Sequence, residues 1–329
     1  MSEFPVAPHD THREPGTVVL LRPRGFCAGV IRAIEVVRSA IKILGRPVYV
    51  RKEIVHNRHV VDELRVEGAV FVDSLDEVPP GEAVIFSAHG VSPEVRQHAL
   101  RRNLRLIDAT CPLVTKVHLE VIRYARANYT IILIGHRNHD EVIGTLGEAP
   151  ESIRVISSVE EVDALDVLDP LRLVYLTQTT LSLDDCAEIV ARLKERFPEI
   201  TGPPSQDICY ATQNRQMAVK GVAAKVDGVL VVGAKNSSNS SRLVEVAQGM
   251  GAGACLVDSA GDIPAEWLEG RRNIGLTAGA STPEVLVQEV VTRLRLFGYT
   301  RLEEVEWIPE DVRFVLPPEL RSMRALHAI

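Results

Sequence analysis

Short apolar runs rich in Val, Ile and Leu alternate along the chain with longer segments whose apolar residues recur every three or four positions. The runs "TVVLLRP", "PVYVRK", "AVFVD", "AVIFSA", "LRLIDA", "YTIILIG", "IRVISS", "LVYLTQ", "GVLVVGA", "ACLVDS" and "NIGLTAG" predict strands buried on both faces. Between them, "GVIRAIEVVRSAIKIL", "LVTKVHLEVIRYARA" and "LDDCAEIVARLKERF" carry helical periodicity. "TPEVLVQEVVTRLRLFG" adds helix punctuation, with Thr282 expected as N-cap, Pro283 at the first helical position and Gly298 at the close. This βαβ rhythm predicts an α/β fold with mainly parallel sheets. It divides into three similar units, 17–110, 111–207 and 208–298, each with a strand-end cysteine near its beginning. Residues 1–16 are expected to form a flexible N-terminal tail, and 299–329 a C-terminal tail packing across the units.

Size and charge narrow the classes. A chain of 329 residues exceeds the usual limit for one hydrophobic core. Its net charge of −7 disfavours a general nucleic-acid binder, yet leaves room for a local pocket for a small anion. No apolar run is long enough to span a membrane, and the N-terminal stretch lacks the apolar segment of a signal peptide. The expectation is a cytoplasmic protein. Its five cysteines are then to be explained as metal ligands, nucleophiles or core residues rather than disulfides.

Ligands of open α/β sheets bind beyond the carboxyl ends of the strands, so the residues at those ends are the informative ones. They are Cys27, His56–Asn57, His89–Gly90, Cys111–Pro112, His136 with His139 and Glu141, Thr179–Thr180, Asn236–Ser240 and Ser281–Thr282. Cys27, Cys111 and Cys209 lie 84 and 98 residues apart, without the close pairs of a zinc knuckle. Three thiolates from separate units could hold an iron–sulfur cluster with one iron left open. Each cysteine taken alone is as well explained as a small core residue. Cys186, in a helical pattern, and Cys255, in a strand, are expected to be core.

His56, His89 and His139 follow strands, whereas His98 and His118 read as surface or cap residues. "KNSSNSSRL" and "GASTPEV" offer hydroxyls, amides and helix N–H groups that suit a phosphate, although Ser and Thr cap helices everywhere. Neither GxxxxGK[ST] nor GxGxxG occurs, so the expected anion is a small phosphorylated metabolite rather than a nucleotide. Glu141, near His139 and Thr179, is either a proton donor or a carboxylate favoured at a helix start.

Together, "RPRGFCAGVIRAIE", "VHN", "SAHGVS", "DATCPLVTKVH", "GHRNHDEVIGT", "TQTTLS", "DICYATQNRQ", "KNSSNSSRL" and "TAGASTPE" resemble the motif series of the 4-hydroxy-3-methylbut-2-enyl diphosphate reductases. The resemblance runs collinearly from about Val18 to Leu296. It implies three α/β domains in a trefoil around one [4Fe–4S] cluster, with Cys27, Cys111 and Cys209 as ligands and one iron open. The implied reaction is reductive removal of an allylic hydroxyl, giving isopentenyl and dimethylallyl diphosphate at the end of the methylerythritol phosphate route. His56, His89, Ser237, Asn239 and Ser281 match diphosphate-binding positions, with Ser238 adjoining. His139, Glu141 and Thr179 match the surroundings of the substrate hydroxyl, with Glu141 as proton source. The implied partner is a flavodoxin- or ferredoxin-type electron donor. The rival on the same parts is an iron–sulfur hydro-lyase acting on a phosphorylated or carboxylated metabolite; a zinc hydrolase and a non-catalytic iron–sulfur sensor are more distant alternatives.

Overall fold

A computed structural model describes residues 15–321. Residues 1–14, which make up most of the expected N-terminal tail, and 322–329 at the other end lie outside the described residues. The first stretch holds β1 (Thr17–Arg22), α1 (Ala28–Leu44), β2 (Val48–Arg51), α2 (Arg58–Glu67), β3 (Ala69–Val72), β4 (Ala83–Phe86), α3 (Pro93–Arg101) and β5 (Arg105–Asp108). Next come α4 (Pro112–Arg126), β6 (Thr130–Ile134), α5 (Asp140–Leu146), β7 (Ile153–Ile156), α6 (Val159–Asp163), β8 (Leu173–Thr177) and α7 (Leu183–Arg196). The last stretch holds α8 (Tyr210–Ala223), β9 (Gly228–Val232), α9 (Ser238–Gly249), β10 (Gly253–Val257), α10 (Ala265–Leu268), β11 (Asn273–Ala278), α11 (Glu284–Leu296) and β12 (Arg301–Glu306).

The strands form three sheets, ordered β10-β9-β11-β1-β12, β3-β2-β4-β5 and β7-β6-β8. Every strand pairing in them is parallel. All eleven expected strands are present. Apolar residues cover both faces, as parallel sheets require. In the five-stranded sheet, Leu230 and Val232 pack with Val287 and Val290 of α11, while Val229 and Val231 pack with Val219 and Leu243 of α8 and α9. That is the period-two alternation of one strand serving two cores.

The structure divides at points that differ from the expected units. One compact unit joins the stretch ending at Cys27 to Tyr210–Asp311; the other joins Ala28–Cys209 to the segment from Val312. Strand β1 therefore lies with β11 and β12, in register from Thr17↔Asn273 and Thr17↔Arg301, and not with the 17–110 unit. A strand buried on both sides needs two partners, and the sequence does not say which strands supply them. Arg301–Glu306, expected to be tail, is an edge strand whose side chains are all exposed. It has no apolar face, and six residues of backbone pairing with β1 make it a strand. Its charges suit an edge that must not recruit further strands. Helix α11 also starts one residue later than expected. Pro283 occupies the cap position and the Thr282 hydroxyl instead donates to the Val232 carbonyl, at 3.0 Å. Among the described residues no helix is long and apolar enough to cross a membrane.

Candidate active site

Each of the three singled-out cysteines immediately precedes a long helix: Cys27 before α1, Cys111 before α4 and Cys209 before α8. Helix N-termini expose unpaired N–H groups and favour anionic sulfur. The backbone N–H of each cysteine donates to a carbonyl beyond the end of another strand. Cys27 donates to Ala280 after β11, Cys111 to Ala88 after β4 and Cys209 to Thr179 after β8, at 3.1, 3.0 and 3.0 Å. Sequence spacing shows nothing of this shared device. Gly25, with φ +65°, belongs to it: a Cβ there would lie 2.9 Å from the Thr282 carbonyl oxygen.

All five cysteines are thiols rather than disulfides. Cys186 is buried on α7, and burial pushes its thiol up to about 12, as expected of an inert core residue. Cys255 lies on β10 and is only half-buried, with its thiol also raised, mainly by burial. Cys27, Cys111 and Cys209 are half-buried at helix starts; burial lowers the neighbouring Arg32, against the opposing pull of Asp108 and Cys111. Each of these three thiols stands at a helix start, where a thiolate can ligate a soft metal; Cys186 and Cys255 do not.

In the unit Ala28–Cys209, three imidazoles share one corner. The rings of His56 and His89 stack with centroids 4.1 Å apart, and His139 stands edge-on to both at 5.6 and 5.7 Å. Burial, reinforced by the neighbouring rings, holds His89 well below the usual range for histidine and brings His139 to about 4. The Glu141 N–H donates to Nδ1 of His139 at 3.1 Å, which fixes that nitrogen as acceptor and the other as the N–H donor. Nitrogens of His56 and His89 and an oxygen of Asp140 lie within 4.8 Å of one another, near enough to share a cation. Stacked rings, however, aim their lone pairs nearly in parallel, and their N–H groups suit a broad anion better than one ion.

Glu141 lies in the first turn of α5 and is 2% exposed. Its two oxygens accept from Thr179, one from the backbone N–H at 2.7 Å and one from the hydroxyl at 2.8 Å. Burial raises this carboxyl to about 7, against the opposing pull of the two Thr179 bonds. A group poised there holds a proton at neutral pH and can release it.

In the other unit, Ser237 caps α9 by accepting from the Ser240 N–H, and the Ser240 hydroxyl donates to Ser237 at 3.1 Å. Ser238 opens that helix, and Ser281 is buried in the turn that follows β11. Asn239 already has defined work. Its amide donates to Thr212 and its oxygen accepts from the Ala280 N–H at 2.9 Å, fixing the loop whose carbonyl holds Cys27. Hydroxyls and helix N–H groups together make a neutral seat for an anion.

A family profile described as LytB protein matches residues 18–295. The chain belongs to the LytB family. Among curated relatives, the 4-hydroxy-3-methylbut-2-enyl diphosphate reductase of Mycolicibacterium paratuberculosis is 58% identical over 308 residues, covering 93% of each chain. The protein of the same name from Leifsonia xyli is 57% identical over 306 residues, covering 93% of this chain and 91% of its own. The LytB fold is also matched in solved structures. The E-1-hydroxy-2-methyl-but-2-enyl-4-diphosphate reductase of Plasmodium falciparum superposes with TM-score 0.93 at 43% identity, covering 96% of this chain and all of its own. A structure of (E)-4-hydroxy-3-methyl-but-2-enyl diphosphate reductase gives TM-score 0.60 at 31% identity, covering 85% and 99%.

Several residues around these loops were not legible in the motif pattern. His118, expected at the surface, is buried; its Nδ1 meets Glu148 at 2.8 Å and its Nε2 lies under Gly90, 3.1 Å from where a Cβ would sit. With φ +80°, Gly90 lets the loop carrying His89 lie against that ring. Arg32, Lys116, Asp207 and Arg215 hold the cysteine loops through hydrogen bonds to residues far away in the chain.

Proposed function

We propose that the chain is a 4-hydroxy-3-methylbut-2-enyl diphosphate reductase, removing the allylic hydroxyl to give isopentenyl and dimethylallyl diphosphate at the end of the methylerythritol phosphate route. The observation that carries this is the Glu141 carboxyl, raised to about 7 and locked by two bonds from Thr179, beside the cluster of His56, His89 and His139. Cys27, Cys111 and Cys209 would hold one [4Fe–4S] cluster with one iron lacking a protein ligand. Bound there, the cluster supplies the electrons that reductive loss of a hydroxyl consumes.

The protein's own residues do the rest. His56 and His89, with Ser237, Ser238, Asn239 and Ser281, bind the diphosphate, so binding energy remote from the reacting carbon orients the substrate. His139, with Nδ1 occupied by the Glu141 N–H, presents its other N–H to the bound molecule. Thr179 orients Glu141 and lies with it near the substrate hydroxyl. Glu141 delivers a proton as the C–O bond breaks and the hydroxyl leaves as water. Overall, two electrons and two protons enter, one C–H bond forms and one water departs.

On this reading each parallel sheet belongs to a domain that contributes one cysteine, and the reductant is a small flavodoxin- or ferredoxin-type protein in the cytoplasm. The test is anaerobic reconstitution with iron and sulfide, followed by turnover of the allylic diphosphate with and without dithionite. Reductant-dependent formation of both products is expected. Loss of water without any reductant would instead identify a hydro-lyase, and zinc without acid-labile sulfide would overturn the cluster.

A further inference from the structure

Each cysteine loop is gripped by a cation, and the cation always belongs to the helix that begins at a different cysteine. Arg32, on the helix after Cys27, donates to the carbonyl of Thr110, the residue before Cys111, at 3.0 Å. Lys116, on the helix after Cys111, donates to the carbonyls of Ser205 and Gln206 and to Oδ1 of Asp207, at 2.8, 3.1 and 3.0 Å. Those residues lead directly to Cys209. Arg215, on the helix after Cys209, donates from Nη2 and Nε to the carbonyl of Gly25, two residues before Cys27, at 2.8 and 3.2 Å. The cations follow their own cysteines by five, five and six residues. The order is closed: the helix of Cys27 holds the loop of Cys111, the helix of Cys111 that of Cys209, and the helix of Cys209 that of Cys27.

The contacts are built for position. Lys116 uses all three of its N–H donors on one short loop, which contains two prolines and otherwise exposes Ser205 and Gln206. Asp207, its ionic partner, turns its second oxygen to the Thr177 N–H at the end of β8, at 3.0 Å. Arg215 is fully buried and is further fixed by the Ala211 carbonyl and by Glu310. Arg32 is buried too, with a second anchor on the Val315 carbonyl. None of the three cations aims its charge at a proposed substrate group. All aim it at the backbone carbonyls just ahead of thiols.

We propose that Arg32, Lys116 and Arg215 are a closed set of positioning residues that fix the three cysteine loops in the protein before a cluster is bound. The proposal rests on the cluster reading for its purpose, but the clamps are testable without a cluster. Their shared logic is that one loosened cation disturbs the next cysteine in the order and leaves its own alone.

Lys116, with a side chain 27% exposed, is the most tolerant site to change. The test compares Lys116→Gln, Lys116→Arg and Arg32→Met with the parent, by hydrogen exchange on the cluster-free chains. Lys116→Gln should speed exchange of the 201–208 stretch at least about tenfold, as expected for losing charged hydrogen bonds, and leave 109–113 unchanged. Arg32→Met should do the reverse, and Lys116→Arg should restore much of the parent's protection. After reconstitution, Lys116→Gln should lose its visible absorption in air about tenfold faster than the parent, the same factor carried through to the cluster. Unchanged exchange at 201–208, loosening spread equally over both stretches, or equal cluster lifetimes would overturn the proposal. A parent that takes up neither iron nor sulfide would sink the cluster reading and with it the clamps' purpose, while the exchange pattern would still report whether the grip exists.

Discussion

Two regions of this protein are suited to an anion, and they achieve it by opposite chemistry. The corner of His56, His89 and His139 is titratable, with two of its rings held neutral by burial and by one another. The start of α9, with Ser237, Ser238 and Asn239, is neutral at every pH of interest and offers hydroxyls and helix N–H groups. An arriving diphosphate would give the imidazoles an opposite charge and draw protons onto them. It would leave the serines unchanged. The first region can answer to pH and the second cannot, and only the first adjoins the proton-holding Glu141.

The largest effect that tests this contrast is chemical. Glu141→Gln should bind substrate within a few-fold of the parent and turn over roughly 10²–10⁴-fold more slowly, the usual worth of a placed general acid. The parent's rate should fall as pH rises above about 7, where the carboxyl loses its proton. Steady-state rates across pH check both statements, and normal turnover in the variant removes Glu141 from the proton path.

Affinity should separate the two regions next. His89→Ala is expected to weaken diphosphate binding by about ten- to a hundredfold, the range for losing a charge-assisted hydrogen bond. Ser237→Ala should cost about threefold to tenfold and also about 1 kcal/mol of helix stability through the lost cap. Binding isotherms at two pH values sharpen the contrast: the pH dependence should persist in Ser237→Ala and flatten in His89→Ala. Equal flattening in both would erase the distinction.

Proton linkage gives a third measurement. Calorimetric titration of inorganic diphosphate in buffers of different ionisation enthalpy should show net proton uptake near pH 7, because bound anion raises imidazoles that start depressed. No uptake, or release, would mean that the histidines stay neutral in the complex.

The smallest effect is on stability, where two residues pull in opposite directions. Unfolded His139 takes a proton at its ordinary 6.5 while the folded residue resists to about 4, so its contribution is full above 6.5 and lost as pH falls through 4. Folded Glu141 keeps its proton to about 7 while the unfolded residue releases it near 4.5, so its contribution is full below 4.5 and lost as pH rises through 7. His89, also depressed by burial, adds to the His139 side, so the two imidazoles outweigh Glu141 and the parent's stability should rise with pH between those limits. Unfolding free energies from urea melts should rise more steeply with pH in Glu141→Gln than in the parent and less steeply in His139→Gln, by up to about 3 kcal/mol across the window in each case. Parallel curves for all three chains would show that the two groups do not titrate as their burial requires.

The sequence by itself determined the α/β rhythm, eleven of the twelve strands among the described residues, and the residue types at the strand ends. Each of these is local. A run of β-branched residues declares a doubly buried strand, and a cysteine between a strand and a helix declares its own position. Two features escaped local reading. Arg301–Glu306 carries only Leu302 and Val305, without apolar alternation, and becomes a strand through backbone pairing with β1, and β1 itself belongs with strands more than two hundred residues away. Hydrogen bonds between backbones carry no residue code, so partner choice left no mark in the pattern.

The tertiary structure alone decided what surrounds the singled-out residues. It turned Glu141 from a helix-start carboxylate into a buried acid bonded twice by Thr179. It turned His118 from a surface residue into a prop beneath Gly90, and it gave Arg32, Lys116 and Arg215 their carbonyl partners. The basic residue five or six places after each cysteine was visible in the sequence all along, but its meaning was not. A cation's role depends on what it touches, and these touch loops 78 to 190 residues away. The chain's own pattern fixes which side chains are available. Long-range packing fixes their solvent exposure and their partners, and through those their protonation and their use.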